Sequence, residues 1–248
     1  MFTGYCNLGD IVARYIFLFG IWEPNISTTM EEILSSGDIF VDIGANIGYY
    51  TLLASRCVGD GGKVVSIEAV PSIFDSLKKN VSANECKNVR LVNCAVASTA
   101  GELPIYGSPK VNRGMSSLIN HRGCPVEAGV TTAPLEHILT QEEIQRVKVI
   151  KIDIEGAEIP VLDHFIETLH MYPPDVQLFV ELSPYISGDY SSDMFDKMLK
   201  SGFDAYLLEN EYGTDWYLRW HLKPAVQIGK LPPFQADILF RRRSPAVQ

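Results

Sequence analysis

A glycine turn after an apolar strand is the first stretch whose residue types could bind a ligand. In VDIGANIGYY, Gly44 and Gly48 stand four positions apart. Asp42 precedes them, and Asn46 lies between them. Glycines let the chain reverse tightly and let a ligand approach the backbone. A dinucleotide site would need G-x-G-x-x-G with a pyrophosphate on the helix N-terminus. Because Asn46 and Tyr49 replace two of those glycines, the turn predicts a ligand that has no diphosphate here.

An acid at the end of the next predicted strand narrows the ligand class. Glu68 lies 24 positions after Gly44, close to the spacing of roughly 20 residues at which nucleotide-binding folds hold a ribose hydroxyl. A ribonucleoside without a pyrophosphate is therefore predicted. S-adenosylmethionine meets this description, since its ammonium and sulfonium also suit a pocket that contains Asp42. Two alternatives stay open: the glycines form a purely structural turn, and Asp42 caps that turn without contacting a ligand.

A second stretch, IKIDIEGAEIPVL at 150–162, repeats the order of strand, acids, glycine and helix. Asp153 is predicted at the carboxyl end of a strand, which is the edge where open α/β sheets bind ligands. It should therefore face the methyl donor across the crevice. Glu158 falls in the first turn of the following helix, where the helix dipole favours an acid, so it needs no role in the site.

If the predicted S-adenosylmethionine gives its methyl group to an oxygen, the protein must supply a group that accepts a proton, besides aligning the reactants and excluding water. The candidate bases are Asp153, Glu155, Glu181 and His121. We place Asp153 first and Glu181, which ends another predicted strand, second. His121 lies in a predicted insertion and could reach the site as part of a lid or be exposed. No metal is assigned, because these acids have no histidine pair or E-x-x-H nearby and hard ions need several oxygen ligands.

The elements that must position these residues alternate along the chain between apolar strands and amphipathic helices. This order predicts a doubly wound α/β fold with a mostly parallel, seven-stranded sheet and helices on both faces. The predicted strands are 39–43, 63–68, 88–96, 147–153, 176–182, 203–209 and 236–242. The stretch PSIFDSLKKNVSAN predicts a helix that begins at Pro71 and buries Ile73, Leu77 and Val81.

We expect a single domain over 1–248 with an N-terminal helical extension at 1–36. The stretch 97–134 shows no strong periodicity, and the stretch 210–235 contains Trp216, Trp220 and three prolines. They predict insertions that form a lid or a substrate wall.

Composition restricts the partners and the compartment. A net charge of −9 argues against a general nucleic-acid binder, which needs a basic face. Five cysteines without a C-x-x-C pair favour a reducing, cytoplasmic setting. The apolar run 11–21 is too short for stable membrane insertion and makes a poor signal peptide. It could instead cap the donor, meet a lipid-like acceptor or form the face of a homodimer.

The chain resembles FkbM-type class I S-adenosylmethionine-dependent O-methyltransferases from about residue 20 to residue 184. The matching stretches are WEP at 22–24, DIFVDIGANIGYYTLLA at 38–54, IEAVPSIFDSLKKN at 67–80, MSSL at 115–118, KVIKIDIEGAEIPVL at 148–162 and LFVELSP at 178–184. IDIEGAE is the most specific of them. The resemblance implies a seven-stranded sheet with an antiparallel last strand.

The resemblance also implies a set of donor-binding positions. These are Glu23, Asp42, Gly44, Asn46, Gly48, Glu68, Ala69, Ala95, Val96 and Asp153. Glu68 would hold the ribose. Ala69, Ala95 and Val96 would line the adenine. Glu23 would fold over the methionine end, or would belong only to a turn before a helix.

The acceptor is the least determined part of the prediction, because the resemblance is weak after residue 184. The family methylates oxygens on sugars, polyketide-type molecules and, in some members, lipids or carboxylates. We therefore predict an O-methyltransferase acting on a hydroxyl or carboxyl oxygen of a small molecule in natural product biosynthesis. The rival interpretations are a non-catalytic binding module with this scaffold and a nicotinamide-dependent oxidoreductase.

Overall fold

The centre of the computed structural model is a sheet of short apolar strands. The structure describes residue 4 and residues 8–107, 117–120 and 123–243. The strands are β1 Ile39–Ile43, β2 Lys63–Ile67, β3 Val89–Val92, β4 Ala95–Val96, β5 Gly101–Tyr106, β6 Val126–Ala133, β7 Val147–Ile152, β8 Gln177–Leu182, β9 Phe203–Leu208, β10 Val226–Ile228 and β11 Ala236–Arg242. The helices are α1 Ile11–Phe19, α2 Pro24–Ile33, α3 Tyr49–Val58, α4 Pro71–Ala83, α5 Leu135–Ile138, α6 Gln141–Arg146, α7 Glu158–Glu167, α8 Pro184–Ser187, α9 Asp189–Lys200 and α10 Thr214–Arg219.

The main sheet confirms the predicted doubly wound α/β fold. Its strand order is β10-β9-β11-β8-β7-β1-β2-β3. Strands β3, β2, β1, β7 and β8 are parallel. Strand β11 is antiparallel to both of its neighbours, β8 and β9, as the resemblance implied for the last strand.

The strand count differs from the prediction, since the main sheet has eight strands among the described residues. The additional edge strand is β10, which lies inside the second predicted insertion. The predicted strand 88–96 divides into β3 in the main sheet and β4 in a small sheet of order β4-β6-β5. Asn93 separates the two halves, and its amide donates to the carbonyls of Glu68 and Ala69. The chain thereby leaves the main sheet.

Alternation along the strands divides the core into two layers. In β1, Ile39, Val41 and Ile43 pack on the side of α7 and α9, whereas Phe40 packs on the side of α2 and α3. This period of two is the expected pattern for a strand covered on both faces. The predicted face of α4 is also confirmed, because Ile73, Leu77 and Val81 are buried.

The N-terminal extension and the two insertions cover one end of the sheet. Helix α1 begins at the cap Asp10, whose carboxylate accepts from the N–H of Val12 at 3.0 Å. The rings of Tyr15 and Tyr217 lie 4.7 Å apart and join α1 to α10 in the second insertion. The first insertion contains the small sheet. Among the described residues, no helix is both long enough and apolar enough to cross a bilayer.

A buried carboxylate forms ion pairs at the opposite end of the sheet. Glu143 in α6 is fully buried and pairs with Lys63 at 2.9 Å and Arg90 at 2.5 Å. Burial alone would raise the pKa of Glu143. The hydrogen bonds from Arg90, Thr140 and Lys63 outweigh it and hold the pKa at about 2. This cluster connects α6 to β2 and β3, away from the ligand-binding edge.

Candidate active site

A cavity of about 310 Å³ opens at the carboxyl edge of the parallel strands. Its floor is formed by the turns that follow β1, β2 and β7 and by Glu181 near the end of β8. The N-terminal extension and both insertions supply its walls. A volume near 300 Å³ is at the lower end of the range for small-molecule sites. The two predicted insertions therefore line the cavity, as a lid or substrate wall would.

The glycine turn is held in a backbone conformation that explains its residue types. Gly44, Asn46 and Gly48 have φ angles of 80°, 51° and 95°. A Cβ on Gly44 would lie 1.9 Å from the carbonyl oxygen of Asp153, so the turns after β1 and β7 touch at this point. A Cβ on Gly48 would lie 2.6 Å from the side chain of Leu77. Gly44 and Asn46 line the cavity, whereas Gly48 lies behind it and begins α3.

Asp42 supports the turn from behind. Its side chain is buried and accepts a hydrogen bond from Thr51 Oγ1 at 2.7 Å. Burial raises the pKa of Asp42, and the Lys151 ammonium and the Thr51 hydroxyl oppose that shift. Asp42 is not among the cavity-lining residues. The observed contact is with α3, so a role in capping the turn and direct contact with a ligand both stay predictions.

Glu68 connects the turns after β1 and β2 through its two carboxylate oxygens. One oxygen accepts from the N–H of Asn46 at 2.9 Å, and the other accepts from the N–H of Val70 at 2.8 Å. Each oxygen has a second acceptor position, and the side chain borders the cavity. Burial raises the pKa of Glu68 to about 7, against the effect of these hydrogen bonds. The predicted ribose acid thus has acceptor capacity left for hydroxyl groups.

An apolar slot lies beside Glu68, where the adenine-lining residues were expected. Ala69, Ala95 and Val96 all border it. The further apolar residues around it are Val70, Ile73, Cys94, Ile105 and Leu118. Ile105 and Leu118 come from the first insertion, whose sequence has no strong periodicity. The sequence analysis therefore missed them.

Glu23 joins the N-terminal extension to the rest of the site. It precedes α2 with a φ of 43°, and its carboxylate accepts from Tyr50 at 2.6 Å and from Tyr212 at 2.7 Å. Its N–H donates to Tyr217 at 3.0 Å. Burial raises the pKa of Glu23, with Lys151 opposing the shift. Glu23 therefore lies at the cavity and begins a helix, but both of its carboxylate oxygens are already bonded to tyrosines.

Lys151 is a buried cation that the sequence analysis missed. Its ammonium lies 2.8 Å from Asp153 Oδ2 and 4.7 Å from the centre of the Tyr50 ring. Burial lowers the pKa of Lys151, but the carboxylates of Asp153, Glu23 and Asp42 outweigh burial and leave it above its ordinary value. The signal was present in the sequence, because residues two apart in a strand share a face and Lys151 stands two positions before Asp153.

Asp153, Glu155 and Glu181 all border the cavity, as expected for three of the four candidate bases. Glu181 is half-buried at the end of β8, and its carboxylate accepts from the amide of Gln235. Burial raises the pKa of Glu181 well above its ordinary value, and the nearby acids Asp153 and Asp237 raise it further. The fourth candidate, His121, lies outside the described residues.

Glu158 shapes the loop that carries Asp153. Its Oε1 accepts from the N–H groups of Ile154 at 3.0 Å and Gly156 at 3.1 Å. Burial raises the pKa of Glu158 to about 7. It is absent from the cavity lining and acts as a structural acid at the start of α7. In the parts of the chain that the structure describes, no group of three or more His, Cys, Asp or Glu residues could hold a metal ion.

Comparison with known proteins shows the family of this chain. The family model for the methyltransferase FkbM domain matches residues 42–205, about two thirds of the chain. The chain belongs to the FkbM methyltransferase family. Family and fold together establish S-adenosylmethionine as the cofactor, which confirms the cofactor prediction.

Two relatives of this FkbM methyltransferase match only part of its length. Methyltransferase sdnD of Sordaria araneosa is 27% identical, with 52% of this chain and 61% of the relative covered. Hexuronic acid methyltransferase AglP of Haloferax volcanii is 24% identical, with 56% and 55% covered. The chain thus spans somewhat more than half the length of these relatives.

A solved structure has the same fold as this chain. The FkbM methyltransferase of Methylobacillus flagellatus KT has a TM-score of 0.52 and 14% sequence identity. The similarity covers 84% of this chain and 44% of that chain. At this identity the comparison shows the shared fold.

Proposed function

We propose that this FkbM methyltransferase methylates a hydroxyl oxygen of a small-molecule acceptor. The observation that carries the proposal is Glu181, a half-buried carboxyl group at the donor cavity. Among the described residues it has no cationic partner and accepts only an amide hydrogen bond. An alcohol must lose its proton during methylation, and a carboxylate with a raised pKa suits that task. Oxygen methylation therefore matches this site.

The cavity has the features that the donor requires. The apolar slot bordered by Ala69, Ala95 and Val96 would take the adenine. Glu68 would accept hydrogen bonds from the ribose hydroxyls. The turn at Gly44 would lie against the methionine portion. When bound, S-adenosylmethionine supplies a methyl group on a sulfonium, which is a good leaving group.

The chain's own residues orient the acceptor, exclude water and take up its proton. Asp153 and Glu181 lie at the same edge of the sheet, but their surroundings differ. One oxygen of Asp153 is bound to the Lys151 ammonium at 2.8 Å. Glu181 has no such partner. We therefore place Glu181 ahead of Asp153 as the base, the reverse of the order expected from the sequence.

The charges of the cavity favour a neutral hydroxyl over an anionic acceptor. Among the described residues, its lining contains the acids Glu23, Glu68, Asp153, Glu155 and Glu181 and one cation, Lys151. A carboxylate or phosphate entering this space would meet like charges, which oppose binding. A neutral sugar or polyketide-type alcohol fits better. The name of AglP specifies a hexuronic acid, and the charge of this cavity favours a different acceptor.

Calorimetric titration with S-adenosylhomocysteine tests the donor site. A dissociation constant near micromolar corresponds to about −8 kcal/mol and is expected for the wild type. Glu68→Ala should abolish most of this binding. Because Glu68 also braces two turns, Asn93→Ala is the matched control. It loosens the same turn and should retain binding. Absence of binding heat and of thermal stabilisation in the wild type would contradict the proposal.

Transfer of a labelled methyl group to paired neutral and anionic sugars tests the acceptor class. Glu181→Gln should reduce turnover by about 10²–10⁴-fold and leave donor affinity within a factor of two or three. Turnover at wild-type rate in Glu181→Gln would rule out Glu181 as the base. Preferential methylation of uronic acids would overturn the neutral-acceptor proposal.

A further inference from the structure

Two carboxyl groups lie side by side on neighbouring strands at the edge of the cavity. Glu181 on β8 and Asp237 on β11 are directly opposite each other in the antiparallel register. Opposed residues project from the same face, with Cβ atoms about 4.5–5.5 Å apart. Asp237 does not line the donor cavity. It borders a small space behind the cavity together with Glu181, Lys151 and Asp153.

Both carboxyl groups are bonded to amides instead of cations. Asp237 accepts from Asn210 at 3.0 Å, and Glu181 accepts from Gln235. Asn210 and Gln235 are the first and last residues of the second insertion. Neither carboxyl group has an ion pair within the described ranges. Two ionised carboxylates this close, with only amide partners, would repel each other strongly.

We propose that Glu181 and Asp237 share one proton near neutral pH, and that Asp237 is the positioning residue that keeps Glu181 able to accept the acceptor's proton. Burial and, after it, the Glu23 carboxylate raise the pKa of Asp237 to about 8, against the opposing hydrogen bond from Asn210. Burial also raises the pKa of Glu181 well above its ordinary value. The pKa of each carboxyl group is raised, as expected when two closely spaced acids share one proton.

The groups that face this pair come from every neighbouring element and are mostly acidic. They are Glu23 from the N-terminal extension, Tyr50 from α3, Lys151 from β7, Asp153 from the turn after β7, Glu155 from the loop before α7, Glu158 at the start of α7, and Tyr212 from the second insertion. Lys151 opposes proton uptake by the pair, but its ammonium is bonded to Asp153. The acids around the pair favour retention of the proton.

The role of the pair in catalysis, which is to take up the proton of the acceptor, rests on the proposed O-methyl transfer. When the acceptor hydroxyl reacts, its O–H bond breaks and the proton forms a new O–H bond on Glu181. The electron pair of the broken bond stays on the acceptor oxygen. The carboxyl pair then holds two protons and is neutral, so proton uptake removes its negative charge from this buried edge.

Carboxyl-detected ¹³C NMR titration tests the pair without an acceptor. The side-chain carboxyl carbons of Glu and Asp are labelled, and Glu181→Gln and Asp237→Asn identify the two signals. In the wild type, Glu181 should titrate at least about one pH unit above its ordinary value of about 4.3. Asp237→Asn should lower that midpoint by about one unit or more. The matched control is Asp204→Asn, which removes an acid paired with Arg243 away from the cavity and should leave the midpoint unchanged.

The inference is overturned if Glu181 titrates in its ordinary range in the wild type, or if Asp237→Asn leaves its midpoint unchanged. If Asp237→Asn fails to fold, Glu181→Gln provides the reciprocal test, because the midpoint of Asp237 should then fall. If neither variant folds, the wild-type curve decides, since a coupled pair shows two separated steps. Calorimetry with S-adenosylhomocysteine on the same samples reports separately on the proposed function. Loss of donor binding would leave the titration of the pair readable.

Discussion

Donor affinity should depend on pH through Glu68. In the ligand-free structure, burial raises the pKa of Glu68 to about 7. Ribose hydroxyls are hydrogen-bond donors, so they prefer the ionised carboxylate, which accepts bonds and donates none. Protonation of Glu68 therefore competes with donor binding. We expect S-adenosylhomocysteine to bind more weakly as the pH falls below 7.

The magnitude follows from the fraction of Glu68 that is ionised. If only the ionised form binds, a pKa of about 7 makes the dissociation constant at pH 6 about tenfold larger than at pH 8, or about 1.4 kcal/mol. Stability of the ligand-free protein changes in the opposite sense. Because the pKa of Glu68 in the folded protein lies above its ordinary value of 4.5, Glu68 stabilises the fold at low pH, and this contribution is lost as the pH rises through about 7.

Calorimetric titration at pH 6, 7 and 8 measures the effect, with Glu68→Gln as the comparison. Glutamine places an NH₂ group against one of the two backbone N–H groups that Glu68 now binds. It should therefore weaken binding at every pH and lose the pH dependence. The reasoning is refuted if the wild-type dissociation constant stays within twofold between pH 6 and pH 8. It is also refuted if Glu68→Gln keeps the wild-type slope.

Three further substitutions, with Gly37→Ala as a control for the first, test, by urea unfolding, contacts that stabilise the fold. Gly44→Ala should destabilise the fold by about 2–4 kcal/mol and abolish donor binding, because its Cβ meets a backbone carbonyl. Gly37 also has a positive φ, but a Cβ there would meet open space. Gly37→Ala should therefore lower the free energy of unfolding by only about 1–2 kcal/mol, and equal losses in the two variants would refute the steric argument. Thr51→Val should lower the free energy of unfolding by about 1–3 kcal/mol, because the buried Asp42 carboxylate loses its hydroxyl partner; an unchanged free energy of unfolding would contradict this. Glu143→Gln should lower the free energy of unfolding by about 3–5 kcal/mol at pH 7. The difference from the wild type should become smaller toward pH 2, because acid protonates the wild-type carboxylate. A difference that does not change with pH would show that the charge of Glu143 does not contribute.

Several parts of the site could be predicted because the requirement is local. The turn at Gly44 needs positive φ angles, which glycine and asparagine tolerate, so its sequence indicates its shape. Glu68 and Asp153 each follow an apolar strand, and parallel strands bring their carboxyl ends to one edge. The buried face of α4 follows from residues spaced four apart. Each of these inferences uses neighbours in the chain or the general geometry of α/β sheets.

The contacts that distinguish the roles of the acids could not be predicted in the same way. The pairing of Glu181 with Asp237 depends on the register between β8 and β11, whose residues are more than 50 positions apart. The tyrosine partners of Glu23 come from α3 and from the second insertion, both far from Glu23 in the chain. The division of the predicted strand 88–96 between two sheets likewise depends on the carbonyl groups to which the Asn93 amide donates, and these belong to another part of the chain.

The sequence by itself determined the α/β scaffold, the conformation of the glycine turn after β1 and the edge at which the acids gather. Those features follow from backbone conformation and hydrophobic periodicity, which act over a few residues. Only the tertiary structure decided which acid is tied to Lys151, which acid braces two turns and which acid faces another acid. Such differences arise from burial and from the distances between side chains on separate elements, and these exist only once the elements have packed.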